Sequence, residues 1–426
     1  MTAPPDTASL PKIIARNTLL LAAAMAALYA MGQLVLAVAA LTFATLTGKP
    51  QLAGMGPALF MLSGSLAALL AGRAMDRFGR MPVLAAGFAI GVCGALITAL
   101  GVGNETLALV VPGFILLGTA FGTGLLSRVA AADMYAPERR AWGIALVLFG
   151  AVFGALLGPL VFMPLLQGGA TSLFAAPWYG AAGFMLAGLL LVLCVRPDPR
   201  RIAEMMAAHS ATPAVAAAPI KDILRRPGVA MAIFVAVTCY AVMVGMMAMI
   251  GYLMTSHGHT QQSVFPVLSA HFIGMFALVL LVGKLIVRVG RQRAMMLGLV
   301  LLATSALALM VAHSVASNAL VLFGIGLGWN IAFVAATAEL TALTHATERG
   351  SIIGFSDLLA GMSGAAVTLL AGMAINTIGL AALSISGALL SLLPVVGMIY
   401  QRRHNLKSGA LGARAGSIAR KRVGQD

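Results

Sequence analysis

The sequence predicts an all-α integral membrane protein with twelve transmembrane helices in two pseudo-symmetric six-helix bundles. Three observations carry that prediction. Hydrophobic residues make up 61% of the 426-residue chain and charged residues only 9%, whereas soluble domains are about a quarter charged. The apolar residues gather into twelve runs of the length a helix needs to cross the hydrocarbon core, about 20 residues. The alternating segments of about ten residues that build a β-barrel are not visible. Lastly, two short polar motifs recur at nearly one offset, so the second half of the chain repeats the first.

The elements follow in order. The first run starts near Asn17, behind Lys12 and Arg16. It is long and lacks a small-residue cleavage site, so it is expected to stay as helix one. The second starts near Leu52 and ends in the loop "GRAMDRFGR". The next four start near Pro82, Thr106, Trp142 and Trp178. An Ala/Pro-rich basic segment of residues 196–227 then joins a first bundle (1–195) to a second (228–401). The spans of that second bundle start near Gly228, Val264, Ala294, Asn318, Ser351 and Ile378, and a basic tail (402–426) follows.

The repeat is read from the loops. Gly72, Arg77, Gly79 and Arg80 match Gly283, Arg288, Gly290 and Arg291, each at an offset of 211. Glu138-Arg139 in "APERRA" match Glu348-Arg349 in "ATERGS" at an offset of 210. Charge sets the orientation. Of 27 Lys and Arg, all but Lys49 fall in the N-terminal tail, the alternate loops and helix ends on that same side, or the C-terminal tail. This positive-inside bias places both termini in the cytoplasm. It also accounts for the net charge of +15 without a nucleic-acid partner, the tail being an anchor on the anionic inner surface of the bilayer. A multi-pass monomer is expected, with the lipid bilayer as its surroundings. Cys93, Cys194 and Cys239 lie in or at the ends of apolar runs and form no disulfide framework. No nucleophile–base pair or phosphate loop appears, so no enzyme chemistry is expected.

Two stretches stand out within the apolar runs. "YAVMVGMMAMIGYLMTSHG" carries Met243 and Met247 one helical turn apart, and "VFPVLSAHFIGMF" carries His271 and Met275 at the same spacing. Helices seven and eight, joined by a short connection, are expected to form an antiparallel hairpin. Met247 and His271 are then equidistant from the tip at His259, as are Met243 and Met275. Met247 lies about 10 Å below the outer end of its helix at ~1.5 Å per residue. Three thioethers and one imidazole make a soft, neutral donor set suited to Cu(I) and not to Mg²⁺ or Ca²⁺. Against this, most of the 25 methionines are expected to be packing residues, since Met fills irregular gaps. Intramembrane ionisable residues are nonetheless functional by default. Cys239 continues the same face, either to receive copper or as a small packing residue. Met254, His257 and His259 flank the outer tip, as an entry point or as ordinary polar loop residues. Asp357, two turns into helix eleven, is either a proton-coupling carboxylate or the partner of an Arg near the cytoplasmic face. Asp133 and Glu339 sit at cytoplasmic helix ends and are expected to be structural.

The motif GxxxDRxGR after the second of six plus six helices resembles the major facilitator superfamily, over essentially the whole chain. The resemblance implies two halves rocking about a midplane site. It also implies a gate in which Asp76 caps or pairs at the cytoplasmic face, with Arg77, Gly79 and Arg80, and Arg288 and Arg291 in the second half. Val287 stands where the first half has Asp76. "GAVFGALLGP" in helix five puts Gly150, Gly154 and Gly158 on one face. That is a helix-packing stripe, and it also resembles the glycine motif of proton-coupled drug antiporters. MxxxM followed by HxxxM resembles the CcoA-like bacterial copper importers. That resemblance implies copper uptake by alternating access for haem–copper oxidase assembly, with Met243, Met247, His271 and Met275 as ligands. Copper is then the transported substrate and no resident cofactor is expected. The alternative is a carrier of an organic solute, by proton-coupled drug efflux or riboflavin uptake. It has the helix-five glycines in its favour and a lack of clear polar or aromatic lining against it, Trp329 being the one Trp that could face a cavity. A non-transporting sensor is disfavoured by the intact "DRFGR".

Overall fold

Long apolar runs with too few charges to bear water fold as helices, because only a helix satisfies its own backbone inside lipid. The structure is a computed structural model and describes residues 10–136, 139–165, 175–207, 218–345, 348–377 and 379–423. Among the described residues there is no strand. In chain order the helices are α1 (Leu10–Thr47), α2 (Met55–Phe78), α3 (Arg80–Gly103), α4 (Leu107–Gly124), α5 (Ser127–Asp133), α6 (Arg140–Leu165), α7 (Ala176–Leu193) and α8 (Pro199–Ala207). There follow α9 (Ile220–Leu224), α10 (Val229–Ser256), α11 (Val264–Phe272), α12 (Val279–Val289), α13 (Arg291–Ala308), α14 (Val315–Leu343), α15 (Arg349–Thr377) and α16 (Gly379–Val423).

Among the described residues eleven helices are long and apolar enough to cross a membrane, and twelve spans result if the bent pair Gln261–Ala277 with Val279–Val289 is counted as one. The helix starts agree with the sequence reading to within a few residues, except that α1 reaches back to Leu10. The eighth span is not one straight helix: a π-turn at Ile273–Ala277 separates α11 from α12, and the two parts diverge by 49°. The connecting segment is also more ordered than an Ala/Pro-rich loop suggests, since it contains α8 and α9.

The helix pairing repeats. In the first half α1 packs on α6 and α7, α3 on α4, and α2 on α4; in the second α10 packs on α15 and α16, α13 on α14, and α11 on α14. The halves meet where α2 lies on α15, α1 on α10, and α6 on α11. Small residues permit the tightest of these contacts. A Cβ at Gly150 would run into the Ala22 carbonyl oxygen, one at Gly154 into the Ala26 carbonyl oxygen, and one at Gly158 into the Gln33 Oε1. The helix-five glycine stripe is therefore the seat of α1.

The two matched loops have matched geometry. Gly79 and Gly290 end α2 and α12 with φ of +98° and +88°, conformations that suit glycine and few other residues. Each donates its N–H back into the preceding helix, to Met75 and Ile286 respectively. Arg80 pairs with Asp133 at 2.8 Å, and Arg291 pairs with Glu339. Both pairs stay within their own half, so Asp133 and Glu339 are the structural partners of the motif arginines. In the first half Asp198 of the connecting segment accepts from Met81 N at 2.9 Å and from Arg200 N at 2.8 Å, tying that segment to the start of α3. Arg77 is exposed and lies over the Phe78 ring, and Arg288 is exposed. The side chain of Asp76, together with Glu138, lies outside the described residues. The end of the molecule carrying these arginines is called the basic end below, and its opposite the far end.

Candidate functional site

The methionine and histidine positions are packed into the second half. Cys239 and His271 have no exposed surface, and Met243, Met247 and Met275 expose 1, 4 and 6%. The expected hairpin is not formed along its length. α10 and α11 meet only weakly: α10 packs mainly on α15 and next on α14, and α11 mainly on α14. Chain neighbours joined by a short connection are thus not the spatial neighbours. A Cβ at Gly326 of α14 would meet both the His271 ring and the Met275 Cγ, each 3.2 Å away. His271 and Met275 therefore share a face toward α14. His271 Nδ1 donates to the Leu322 carbonyl at 2.8 Å. That bond fixes the proton on Nδ1 and leaves the Nε2 lone pair buried without a partner. The Cys239 thiol donates to the Ala236 carbonyl at 3.3 Å. Met254 is buried. At the far end His257 is exposed, and His259 Nε2 donates to the His313 carbonyl at 2.9 Å. Among the described residues, no group of three or more His, Cys, Asp or Glu converges as a metal-holding set.

A different constellation lies between the halves. Tyr29 of α1 makes edge contacts with Phe121 of α4, Phe272 of α11 and Phe276 in the π-turn, at centroid distances of 5.5, 5.7 and 5.2 Å. Phe60 of α2 joins through Phe121 at 5.1 Å. On the other side Phe276 meets Trp329 of α14 at 6.2 Å, Trp329 stacks on Phe333 at 5.0 Å, and Phe333 approaches Tyr240 of α10 at 6.4 Å. Eight rings from both halves thus form one contiguous, largely buried aromatic cluster. Trp329, the one Trp the sequence reading singled out, lies in this cluster. The rings are spread over six helices and the π-turn, and apart from the one-turn pairs Phe272–Phe276 and Trp329–Phe333 they share no spacing, so no local pattern announces the cluster. Trp329 Nε1, in the middle of the array, is buried without a hydrogen-bond partner.

Asp357 lies beside this array. It pairs with Arg128 of α5 at 3.2 Å, an ion pair that joins the second half to the first. The sequence left pairing or proton coupling open for Asp357; the pairing is present, with Arg128 five residues from the basic end of the span Leu107–Asp133. In the sequence Arg128 is one more basic-end charge, and no local pattern marks it as the partner of Asp357. Tyr240 lies close enough to feel both charges of the pair, and Tyr29 close enough to feel Arg128.

The far end is shut. A Cβ at Gly54 would strike the Thr368 carbonyl, one at Gly372 the backbone of Gly54, and one at Gly361 the Ser65 hydroxyl. Gln33 Nε2 of α1 donates to Ser269 Oγ of α11 at 3.0 Å, and Ser269 Oγ donates to the Ala155 carbonyl of α6 at 2.7 Å. Gln262 Nε2 donates to the Met163 carbonyl at 3.1 Å. Continuing the register of α2 against α15 toward the basic end places Gly72 opposite Gly354, and at both a Cβ would meet nothing within 4 Å. The helices have parted there. The Arg128–Asp357 pair stands at the inner end of that opening, with 30 and 36% of its side-chain surface exposed.

The family described as the Major Facilitator Superfamily matches residues 20–369. Among relatives, the MFS-type transporters YdeG and YddS of Bacillus subtilis are each 31% identical, over 373 and 378 residues. Each match takes in 86% of this chain; it covers 87% of YdeG and 86% of YddS. The riboflavin transporter RfnT of Brucella anthropi is 27% identical, over 85% of this chain and 90% of its own. In fold, the chain is similar to the xylose transporter XylE from E. coli in a partially occluded inward open conformation, with a TM-score of 0.68 at 14% identity, covering 92% of this chain and 98% of that one. It is also similar to the human organic anion transporter MFSD10, with a TM-score of 0.62 at 18% identity, covering 93% and 100%.

Proposed function

The chain belongs to the major facilitator superfamily, and on that premise we propose that it carries a flat, ring-containing organic solute by alternating access. The rocking units are residues 1–195 and 228–401, linked by 196–227, with 402–426 as a basic tail. The basic end faces the cytoplasm of a bacterial inner membrane, as its loop charges require. The observation that carries this reading is the aromatic array shared by both halves. Rings of this kind hold planar solutes by offset and edge contacts worth about 0.5–1.5 kcal/mol each. The orphan Trp329 Nε1 offers a donor to a solute carbonyl. The name of one relative, a riboflavin transporter, agrees with that chemistry. Asp76, Arg77, Gly79, Arg80, Arg288 and Arg291 act as the gate region at the basic end, holding their loops while the halves rock.

Riboflavin binding to purified protein, read by quenching of flavin fluorescence, tests the reading. Tyr29→Ala and Trp329→Ala are each expected to weaken binding by about three- to tenfold, the equivalent of one lost ring contact. A wild type that binds no flavin and no other flat-ring solute overturns it.

One observation favours a second reading, copper uptake. The His271 Nε2 lone pair is buried and unpartnered, with Met275 beside it on the same face. Met243, Met247 and Cys239 would complete a soft set, with Met254, His257 and His259 at the far-end entry. Radiolabelled copper uptake decides it: normal uptake by both Met247→Ala and His271→Ala, inserted at wild-type levels, rejects the copper reading.

A further inference from the structure

The Arg128–Asp357 pair is the described ion pair that crosses between the halves. Its depth follows from the helices. Asp357 lies eight residues from the start of α15, about 12 Å in at ~1.5 Å per residue. Tyr240 and Phe333 lie eleven and ten residues from the basic ends of α10 and α14, about 15 Å in or slightly more. The pair therefore separates the aromatic array from the opening at the basic end, and a solute moving between them passes it. The contact is a single one, Nη2 to Oδ2, not a bidentate clasp, and both side chains are partly accessible. Arg128 therefore keeps donors free for another acceptor. The titratable groups around it are Asp357 itself, Tyr240 on α10 and Tyr29 on α1.

We propose that Arg128 and Asp357 form the charged subsite of the carried solute: an acidic group on the solute takes Arg128, and Asp357, released, takes a proton. The inference rests on the flat-ring reading above and deepens it. The charge balance dictates the second step. The empty subsite is neutral, with one cation and one anion. An arriving carboxylate or phosphate monoanion pairs with Arg128 and leaves Asp357 as an uncompensated carboxylate at membrane depth, which is costly. One proton, drawn from water through the basic-end opening, forms the Asp357 O–H bond and restores neutrality. No other atom changes partner. A neutral flat solute leaves the pair intact and takes up no proton. The class assigned is a flat ring system bearing one acidic group, moved with one proton. The exchange also separates the two halves at the point where the solute must pass.

The test uses the full chain in detergent at about pH 5, where a phosphate monoester is a monoanion, with two probes, riboflavin and riboflavin 5′-phosphate, reading flavin fluorescence and, in weak buffer, a pH indicator. In the wild type the phosphate ester is expected to bind about tenfold or more tightly than riboflavin, the scale of a charge-assisted hydrogen bond, with uptake of protons on binding. Arg128→Gln is expected to bring the affinity ratio toward one, and Arg128→Lys to restore part of it. Asp357→Asn is expected to keep the preference and abolish the proton uptake. Both flavins bound equally by the wild type, or proton uptake that survives in Asp357→Asn, overturns the inference while the flat-ring reading stands. A wild type that binds neither flavin, nor any other flat-ring solute, overturns both. Variants are first shown to be monodisperse with wild-type helix content, so that a misfolded protein is not read as a lost subsite.

Discussion

At the scale of single residues, charge partners decide what the chain tolerates. Glu348 is almost fully buried at the basic end. It accepts from Arg226 through both oxygens, at 2.6 and 2.8 Å, and from the His345 and Ala218 N–H groups. The Arg226 guanidinium, foremost, holds its carboxyl down to about 2. A folded value below the unfolded one means the contribution is complete above about 4.5 and is lost as pH falls toward 2. Thermal unfolding in detergent should therefore lose stability over that acid window in the wild type. Glu348→Gln should start lower at neutral pH and show a shallower acid decline; an unchanged acid profile would reject the assignment. Glu348 was legible in the sequence as half of a repeated loop motif, but Arg226 was not legible as its partner. The same limit applied at His271. Its oddity was plain from the sequence, whereas the Leu322 carbonyl that receives its proton is 51 positions away and leaves no local trace. Asp357 stood out in its apolar run, whereas Arg128, 229 positions away, was only one more basic-end charge, and the pair left no trace.

Helices were far easier to read than their neighbours. Composition marks a span because lipid leaves the backbone no alternative, and this fixed nearly every start to a few residues. Two element-level features escaped. The break between α11 and α12 has no proline at the bend. It arises where Gly274 backs onto the Phe323 carbonyl and Asn330 Nδ2 donates to the Gly274 carbonyl at 3.4 Å, contacts supplied by α14. The expected hairpin of α10 and α11 failed for a related reason, since α15 and α14 offer α10, and α14 offers α11, a better surface. The glycine stripe of α6 was legible as packing, and its target is now α1. Gly150→Val should push α6 off α1 and lower stability by about 1–3 kcal/mol, the usual cost of overpacking. Gly183→Ala on α7, where a Cβ meets nothing within 4 Å, should be neutral or slightly stabilising. Melting temperatures of the two variants, measured side by side, check the contrast. Equal losses would mean that the α1–α6 contact is not the tight one.

For the whole molecule, the internal repeat was legible because loop motifs survive as short strings at fixed offsets, while the conformation was not, because both states of a rocking carrier satisfy one sequence. The contacts define the state: α2 and α15 touch at Gly54 and Gly372 and again at Ser65 and Gly361, and have parted by Gly72 and Gly354. Tight backbone approach at the far end is possible only because glycine supplies the surface there. Enlarging one side should therefore shift the balance between states without touching the aromatic array. With Gly372→Leu, the far end can no longer close on Gly54, and the population moves toward a conformer open at that end. A cysteine placed at Ser65, in a background without Cys93 and Cys194, reports the shift through a membrane-impermeant thiol reagent added from the far side. It should react slowly in the parent and faster when Gly372→Leu is added, while transport falls, because a carrier held open at one end cannot complete its cycle. Equal labelling rates in the two backgrounds would show that the glycine contact does not seal the far end, and the closure would then have to rest on the Gln33–Ser269–Ala155 hydrogen bonds alone.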